Sequence, residues 1–275
     1  MGSTGTAVSS GSGAGGLHVR GVVGNNPPPV VQPVNAGNPQ VQQQAPNAQN
    51  TPVTSNAVTN LTQMDDASLA ALVRASQQAQ LPNFLNDTGV GNLTQQFVFQ
   101  AGINEKPMVL DANAYQQFMS DNNISPSQQL ARSVDPVSYV NNDGTHVSLS
   151  SQRIIDIMQN SRLNYIGGKR GGAVHGYGTY FDMNGGMRTG YGGTTAVAVL
   201  NPATARVISE SRLYSRASTW ANSHPQTVRA LGTINRSNQS IYALMMGYNV
   251  VQQGSGGSYD TYHVVLDRSA LVYRK

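Results

Sequence analysis

The residues best suited to chemistry lie in Gly178-Thr179-Tyr180-Phe181-Asp182, at the end of a glycine-rich stretch that begins at Gly167. Glycine serves where a backbone bends sharply or lets a ligand approach. The pentapeptide reads as a strand, on which side chains alternate between faces. Gly178 and Tyr180 therefore share one face, and Thr179 and Phe181 the other. A bare glycine beside a projecting tyrosine predicts the floor of a slot for a flat molecule; the competing reading is a tight packing site with Tyr180 as a core aromatic. Arg132 is the second candidate, within the strand-like Gln129-Leu130-Ala131-Arg132-Ser133-Val134. Alternation puts it on the same face as Leu130 and Val134. A guanidinium on an apolar face is costly unless an anion pairs with it. Arg132 thus predicts either a salt bridge to one of the few acids or a bound anionic ligand.

Other chemistries are excluded by residue type. Gly167-Gly168-Lys169-Arg170 lacks the Ser or Thr that a phosphate loop needs after its lysine to hold magnesium. Gly176-x-Gly178 runs into Phe181 where a dinucleotide fingerprint requires glycine. Gly11 to Gly16 has the form G-x-G-x-x-G, but no strand precedes it and no helix follows. His146, His175, His224 and His263 lack metal-ligand spacing, and acids are too sparse for a carboxylate cage, so no metal is expected. The chain has no cysteine, which removes disulfides, thiolate chemistry and cysteine-based zinc sites.

The elements that position these residues follow from pattern and punctuation. Asp65 and Asp66 are helix caps, with Leu69, Leu72 and Val73 at helical spacing up to about Gln80 and Pro82 ending the run. A second helical run fits Gln95 to Gln100. Asp111 caps a third, carrying Tyr115, Phe118 and Met119, and Asn104 to Pro107 is a turn. Ser150 or Ser151 caps a helix with Ile154, Ile155 and Met158 that leads into the glycine-rich loop. Beyond Tyr191 come strands at Thr194–Leu200 and Ala205–Ile208, then helical sequence from Glu210 to Ala221. A short helix follows from Ser223, with Pro225 in its first turn and Gly232 after its end. Ile241 to Met246 is helical and closed by Gly247. Strands at Tyr248–Val251, Tyr262–Asp267 and Ala270–Tyr273 complete the series. This mixed order predicts an α+β domain rather than a βαβ array.

The 275 residues divide by composition. Residues 1–60 run from Gly/Ser-rich through Pro27-Pro28-Pro29 to a Gln/Asn/Pro/Val tract, with Arg20 the one formally charged side chain before Asp65. Such a segment buries too little apolar surface to offset the entropy of ordering, and is expected to be a disordered arm. Residues 61–82 read as a helical linker and 83–275 as the functional domain. Only 11% of residues are charged, and the +4 balance, with a pI near 9.4, reflects scarce acids rather than abundant bases. The arginines are scattered, so a nucleic-acid partner rests on the pI alone. No apolar run reaches the length of a membrane span, and the first residues lack the basic and apolar regions of a secretory signal. The expectation is a soluble protein without a membrane partner.

Taken together, the motifs resemble the ADP-ribosyltransferase superfamily of diphtheria-toxin and poly(ADP-ribose) polymerase type. Gly178-Thr179-Tyr180-Phe181-Asp182-Met183, with Tyr191 eleven positions beyond Tyr180, is similar to that family's glycine-x-tyrosine-phenylalanine strand and second tyrosine. Ala196 to Ile208 resembles its following strand pair around Asn201-Pro202. Ala243 to Val251 resembles its Gly-Tyr element, here Gly247-Tyr248. Tyr262 to Val272 resembles the closing strand of short phage- and bacteria-encoded members. Leu130-Ala131-Arg132-Ser133 stands where the family opens with an Arg-Gly or His-Gly strand. The likeness covers roughly Asn83 to Lys275.

The resemblance implies a split antiparallel β core with helices before and between strands, and an NAD cleft between its two sheets. It implies that Tyr180 and Tyr191 sandwich the nicotinamide, that Arg132, helped by Ser133, holds phosphate or ribose, and that the backbone at Gly178 and Thr179 meets the carboxamide. It implies a mono-ADP-ribosyltransferase or NAD glycohydrolase with NAD as substrate, and a protein acceptor in a host cytoplasm. The chain departs from the pattern at one point. Cleavage of the nicotinamide–ribose bond asks for a negative charge near the ribose, and the family places a glutamate at the start of the last long strand. The glutamates here are Glu105 and Glu210, and Thr261, Tyr262 or His263 occupies that place. Asp260 is the nearest acid in sequence and the candidate catalytic carboxylate. The rival expectation is a non-catalytic protein that kept the fold, such as a phage particle component among virion proteins, tethered by its N-terminal arm.

Overall fold

Short polar side chains start the helices where the sequence places them. Asp65 accepts from the Ser68 N–H at 2.7 Å, Asp111 from Ala114 at 2.9 Å and Ser150 from Arg153 at 3.2 Å, each satisfying a donor that the first helical turn leaves open. The computed structural model describes residues 56–79, 93–103, 105–140, 144–160, 178–183, 194–254 and 262–275. All fall within one unit, Asn50–Lys275. Tyr191, Asp260, the glycine-rich loop before Gly178 and residues 1–55 lie outside the described residues.

The helices are α1 (Asn56–Leu61), α2 (Asp66–Gln78), α3 (Leu93–Gln100), α4 (Ala112–Asp121), α5 (Ser151–Asn160), α6 (Glu210–Ser223), α7 (Pro225–Leu231) and α8 (Gln239–Met245). The strands are β1 (Met108–Leu110), β2 (Leu130–Val134), β3 (Val137–Val140), β4 (His146–Leu149), β5 (Thr179–Met183), β6 (Thr194–Leu200), β7 (Val207–Ser209), β8 (Val250–Gln253), β9 (Tyr262–Val265) and β10 (Leu271–Arg274). Among the described residues, eight strands form one sheet in the order β1-β10-β6-β2-β5-β9-β8-β7, and β3 and β4 pair separately as a hairpin. The protein is a mixed α and β structure around a mostly antiparallel sheet. The two outermost pairs, β1 with β10 and β7 with β8, are parallel. The mixed α and β composition and the mostly antiparallel pairing agree with the sequence expectation. A parallel neighbour needs a long return connection, which no local pattern announces.

Alternation along the strands divides the core into three clusters. On one face α5 brings Ile154, Ile155 and Met158 onto Leu130, Phe181, Ala198, Val265 and Tyr273 in a continuous layer. The opposite face is covered at its two ends. Tyr115 and Met119 of α4 pack on Val199 and Val272 at the β10–β6 end. Helices α1, α2, α3, α6 and α8 pack on Ile208, Val251 and Val264 at the β7–β9 end. Val58 and Leu61 of α1 belong to this last cluster, at 1% and 2% exposure. Helix α1 thus starts at Asn56, within the stretch read as the arm, because two apolar residues at i and i+3 find a core. Leu69 and Val73, in the stretch read as a linker helix, are buried in the same cluster.

Candidate functional site

Strands β2 and β5 are adjacent, but their register covers two pairs, Leu130 with Met183 and Ala131 with Asp182. On its other side β2 keeps five pairs with β6, and β5 keeps four with β9. Beyond Ala131 the two strands exchange no further ladder pair, and a side chain bridges them instead. Arg132 donates from its Nη1 to the Tyr180 carbonyl at 3.0 Å. The two sequence candidates are therefore brought together at the shortest pairing in the sheet. One partner of Arg132 is thus a main-chain oxygen. The guanidinium is half-buried and lies close enough to Tyr273 to oppose the rise that burial imposes on that hydroxyl's pKa.

The face opposite α5 carries polar side chains between the two clusters that the described residues form on it. There β6, β2, β5 and β9 present Thr195, Ser133, Tyr180, Asp182 and Tyr262, all half-buried. Ser133 pairs in register with Thr195, and their hydroxyls stand 3.5 Å apart. Ala131 pairs with Asp182 and Asp182 with Tyr262, making one row across three strands. The Tyr180 and Tyr262 rings meet edge to face, with centroids 6.3 Å apart and planes at 70°. Central strands between two dry clusters would ordinarily be apolar on that face as well. A strip of hydroxyls, one carboxylate and two aromatic rings is suited to hold a flat, hydroxyl-rich molecule.

Gly178 has a different role from the one its sequence suggests. A Cβ there would lie 2.5 Å from Val264 Cγ1, 2.9 Å from the Val265 carbonyl oxygen and 3.0 Å from Leu266 Cδ2. The bare face is filled by β9, so the glycine serves the close approach of a neighbouring strand and not a slot floor. Thr179 is fully buried on the α5 face, and only its backbone remains as a candidate for contact. Ser133 and Tyr180 keep half-exposed side chains. Tyr191 and Asp260 lie outside the described residues.

At the place of the missing glutamate, Tyr262 joins the polar strip while His263 points to the α5 face opposite Phe181. His263 is buried, its Nδ1 has no hydrogen-bond partner, and burial pulls its pKa down to about 4. It is a neutral imidazole at ordinary pH and no substitute for a carboxylate. Sequence reasoning passed over Asp182 and Tyr262 as site members. Their signal was the two-residue step from Tyr180 to Asp182, but the register that sets Tyr262 beside them is not written locally. Among the described residues no group of three or more His, Cys, Asp or Glu is placed to hold a metal ion. No protein-family model, curated protein or solved structure matches the chain.

Proposed function

We propose that the chain binds NAD where β2 parts from β5 and cleaves its nicotinamide–ribose bond, as a mono-ADP-ribosyltransferase on a macromolecular acceptor or as an NAD glycohydrolase. The observation that carries this reading is the meeting of Arg132 and Tyr180 at a two-pair strand junction, beside a half-buried polar strip. The sequence resemblance supports it, since both residues lie in the motifs that carry it. In this reading the junction is the split of an ADP-ribosyltransferase core. Tyr180 and Tyr191 grip the nicotinamide so that the leaving group is positioned, Arg132 and Ser133 hold phosphate or ribose, and the backbone at Gly178 and Thr179 meets the carboxamide. The donors present suit the ligand: a guanidinium forks onto phosphate oxygens, and hydroxyls and a carboxylate pair with ribose.

Incubation of the full chain with labelled NAD should release nicotinamide or label a protein acceptor. Tyr180→Ala should lower the rate about tenfold or more through lost positioning. No turnover, together with no thermal shift by NAD, overturns the proposal.

A second reading has its own observation. Position 263 carries a buried neutral histidine and 262 a tyrosine, so a non-catalytic interaction protein of the same fold, such as a virion component, is the rival. Restoration of turnover by Thr261→Glu in an inactive wild type would favour it.

A further inference from the structure

We infer that the solvent face of α6 is a docking row for the sugar–phosphate backbone of a nucleic acid, a site that stands whether or not the chain cleaves NAD. Along the sequence the arginines look scattered; the fold gathers three of them. Arg212, Arg216, Thr219 and Ser223 recur at i, i+4, i+7 and i+11 of α6, all exposed, and form one row along the helix. The row is about 16 Å long at the helical rise per residue. Arg206 joins it from just before β7. Its Nη1 lies 4.0 Å from where a Cβ on Gly247 would stand. The next residue, Tyr248, receives Arg216, whose Nη1 donates to the tyrosine hydroxyl and whose guanidinium lies 5.8 Å from the ring centroid. Asn249 ties the two arginines' supports together. Its side-chain oxygen accepts from the Arg206 N–H at 2.7 Å, and its own N–H donates to the Arg206 carbonyl at 3.1 Å.

No acid answers these charges. Among the described residues none of the three arginines has a carboxylate within ion-pairing distance. Glu210 acts elsewhere: burial, and after it the Glu210 charge, raise the pKa of Tyr214. Both residues stand about half a turn round the helix from the row. Arg212 and Arg216 are thus like charges on neighbouring turns, an arrangement that costs stability in the free helix and that a bound anion relieves.

The side chains match a phosphate backbone better than an acidic protein. A guanidinium forks onto phosphate oxygens, and serine and threonine hydroxyls are common partners of phosphate and sugar. Tyr248 is half-buried, and its ring with the guanidinium against it offers flat faces to a base. A protein partner would bury an apolar centre, and the row carries no large apolar side chain. Contacts of this kind read the backbone, so little preference for base sequence is expected.

The test is the fluorescence anisotropy of a short labelled oligothymidylate titrated with the full chain. The expected result is binding at about 50 mM salt that weakens about 20-fold by about 200 mM, since three phosphate contacts on a single strand give a log–log slope of about −2. The triple variant Arg206→Gln/Arg212→Gln/Arg216→Gln should lose about 20-fold or more in affinity and most of the salt dependence. A second triple variant, Arg153→Gln/Arg274→Gln/Lys275→Gln, removes the same charge from α5 and the β10 end of the chain and should bind within about threefold of wild type. Arg212→Gln alone, an exposed change that spares Tyr248, should reduce the slope by about 0.7 and keeps the test decisive if the first triple variant unfolds. No binding at about 50 mM salt overturns the inference. An equal loss in the two triple variants also overturns it, since net charge alone would then explain binding. Displacement of the oligonucleotide by polyglutamate at equal charge would assign the row to acidic polypeptides and overturn it as well.

Discussion

Across β2, β5 and β9, the face toward α5 carries Leu130, Phe181 and His263, none more than 5% exposed, whereas the opposite face carries Ser133, Tyr180, Asp182 and Tyr262, all half-buried. The same strands thus do two jobs. Under α5 the side chains are mostly apolar and close-packed, with Thr179, His263 and the stem of Arg132 among them. On the other face Val264 lies in the dry cluster at one end and Tyr180 packs against it, while Ser133, Asp182 and Tyr262 beside them are polar or half-buried. The α5 face holds the strands in register, so the other face is free to be polar. Arg132 belongs to both, since it stems from the α5 side and ends on the Tyr180 carbonyl at the junction.

Substitutions on the two faces should differ accordingly. The largest effect is expected for Phe181→Ala. Removing a fully buried ring from the α5 layer should cost about 3–5 kcal/mol of stability, read from urea unfolding midpoints. A loss below about 1 kcal/mol would mean that this layer does not hold the sheet.

Next is the pH dependence contributed by His263. Its folded-state pKa of about 4 lies below the usual value of 6.5. The unfolded chain therefore takes up a proton that the folded chain refuses, and stability falls as pH drops from about 6.5 towards 4, levelling below that. The full effect is on the order of 3 kcal/mol. His263→Phe should flatten that part of the stability–pH curve relative to wild type, and an unchanged slope would show that the imidazole is not held neutral.

The smallest effect is expected for Ser133→Ala, below about 0.5 kcal/mol, because its hydroxyl contact with Thr195 is at the limit of hydrogen bonding. A larger loss in thermal denaturation would place Ser133 among the structural residues and blur the contrast between the faces.

Most helices were legible because their signals are local; α1, in the stretch read as the arm, was not. Asp65, Asp111 and Ser150 announce caps, Pro82 and Gly247 announce ends, and Leu69, Val73, Tyr115 and Met119 mark buried faces by spacing alone. The strands β2, β5 and β6 were legible for the same reason. Three-residue β1 was not, since Met-Val-Leu after Pro107 is too short to show a period. The hairpin of β3 and β4 was also missed: Ser138, Val140, His146 and Ser148 are exposed, so its alternation does not mark a buried face. At the site, alternation assigned Tyr180 and Phe181 to opposite faces correctly. What it could not supply was the neighbour. The reason for Gly178 is Val264 on another strand, and Asp182 stands in a row with Ala131 and Tyr262 through pairing with two other strands. Both facts are matters of register between distant segments.

The parallel pairing of Met108–Leu110 with Val272–Arg274 has a consequence for how the domain assembles. Strands β8 and β9 are near in sequence and close at small entropic cost, while β1 and β10 meet only after nearly all the chain between them has been gathered. The β10 side of the sheet is thus expected to complete late and slowly, as contacts between remote segments do. Until then β6 presents an unpaired edge and Val199 and Ala198 are open to solvent. A chain delayed at that stage would be prone to self-association, and that hazard ends when Leu271 to Tyr273 dock onto β6.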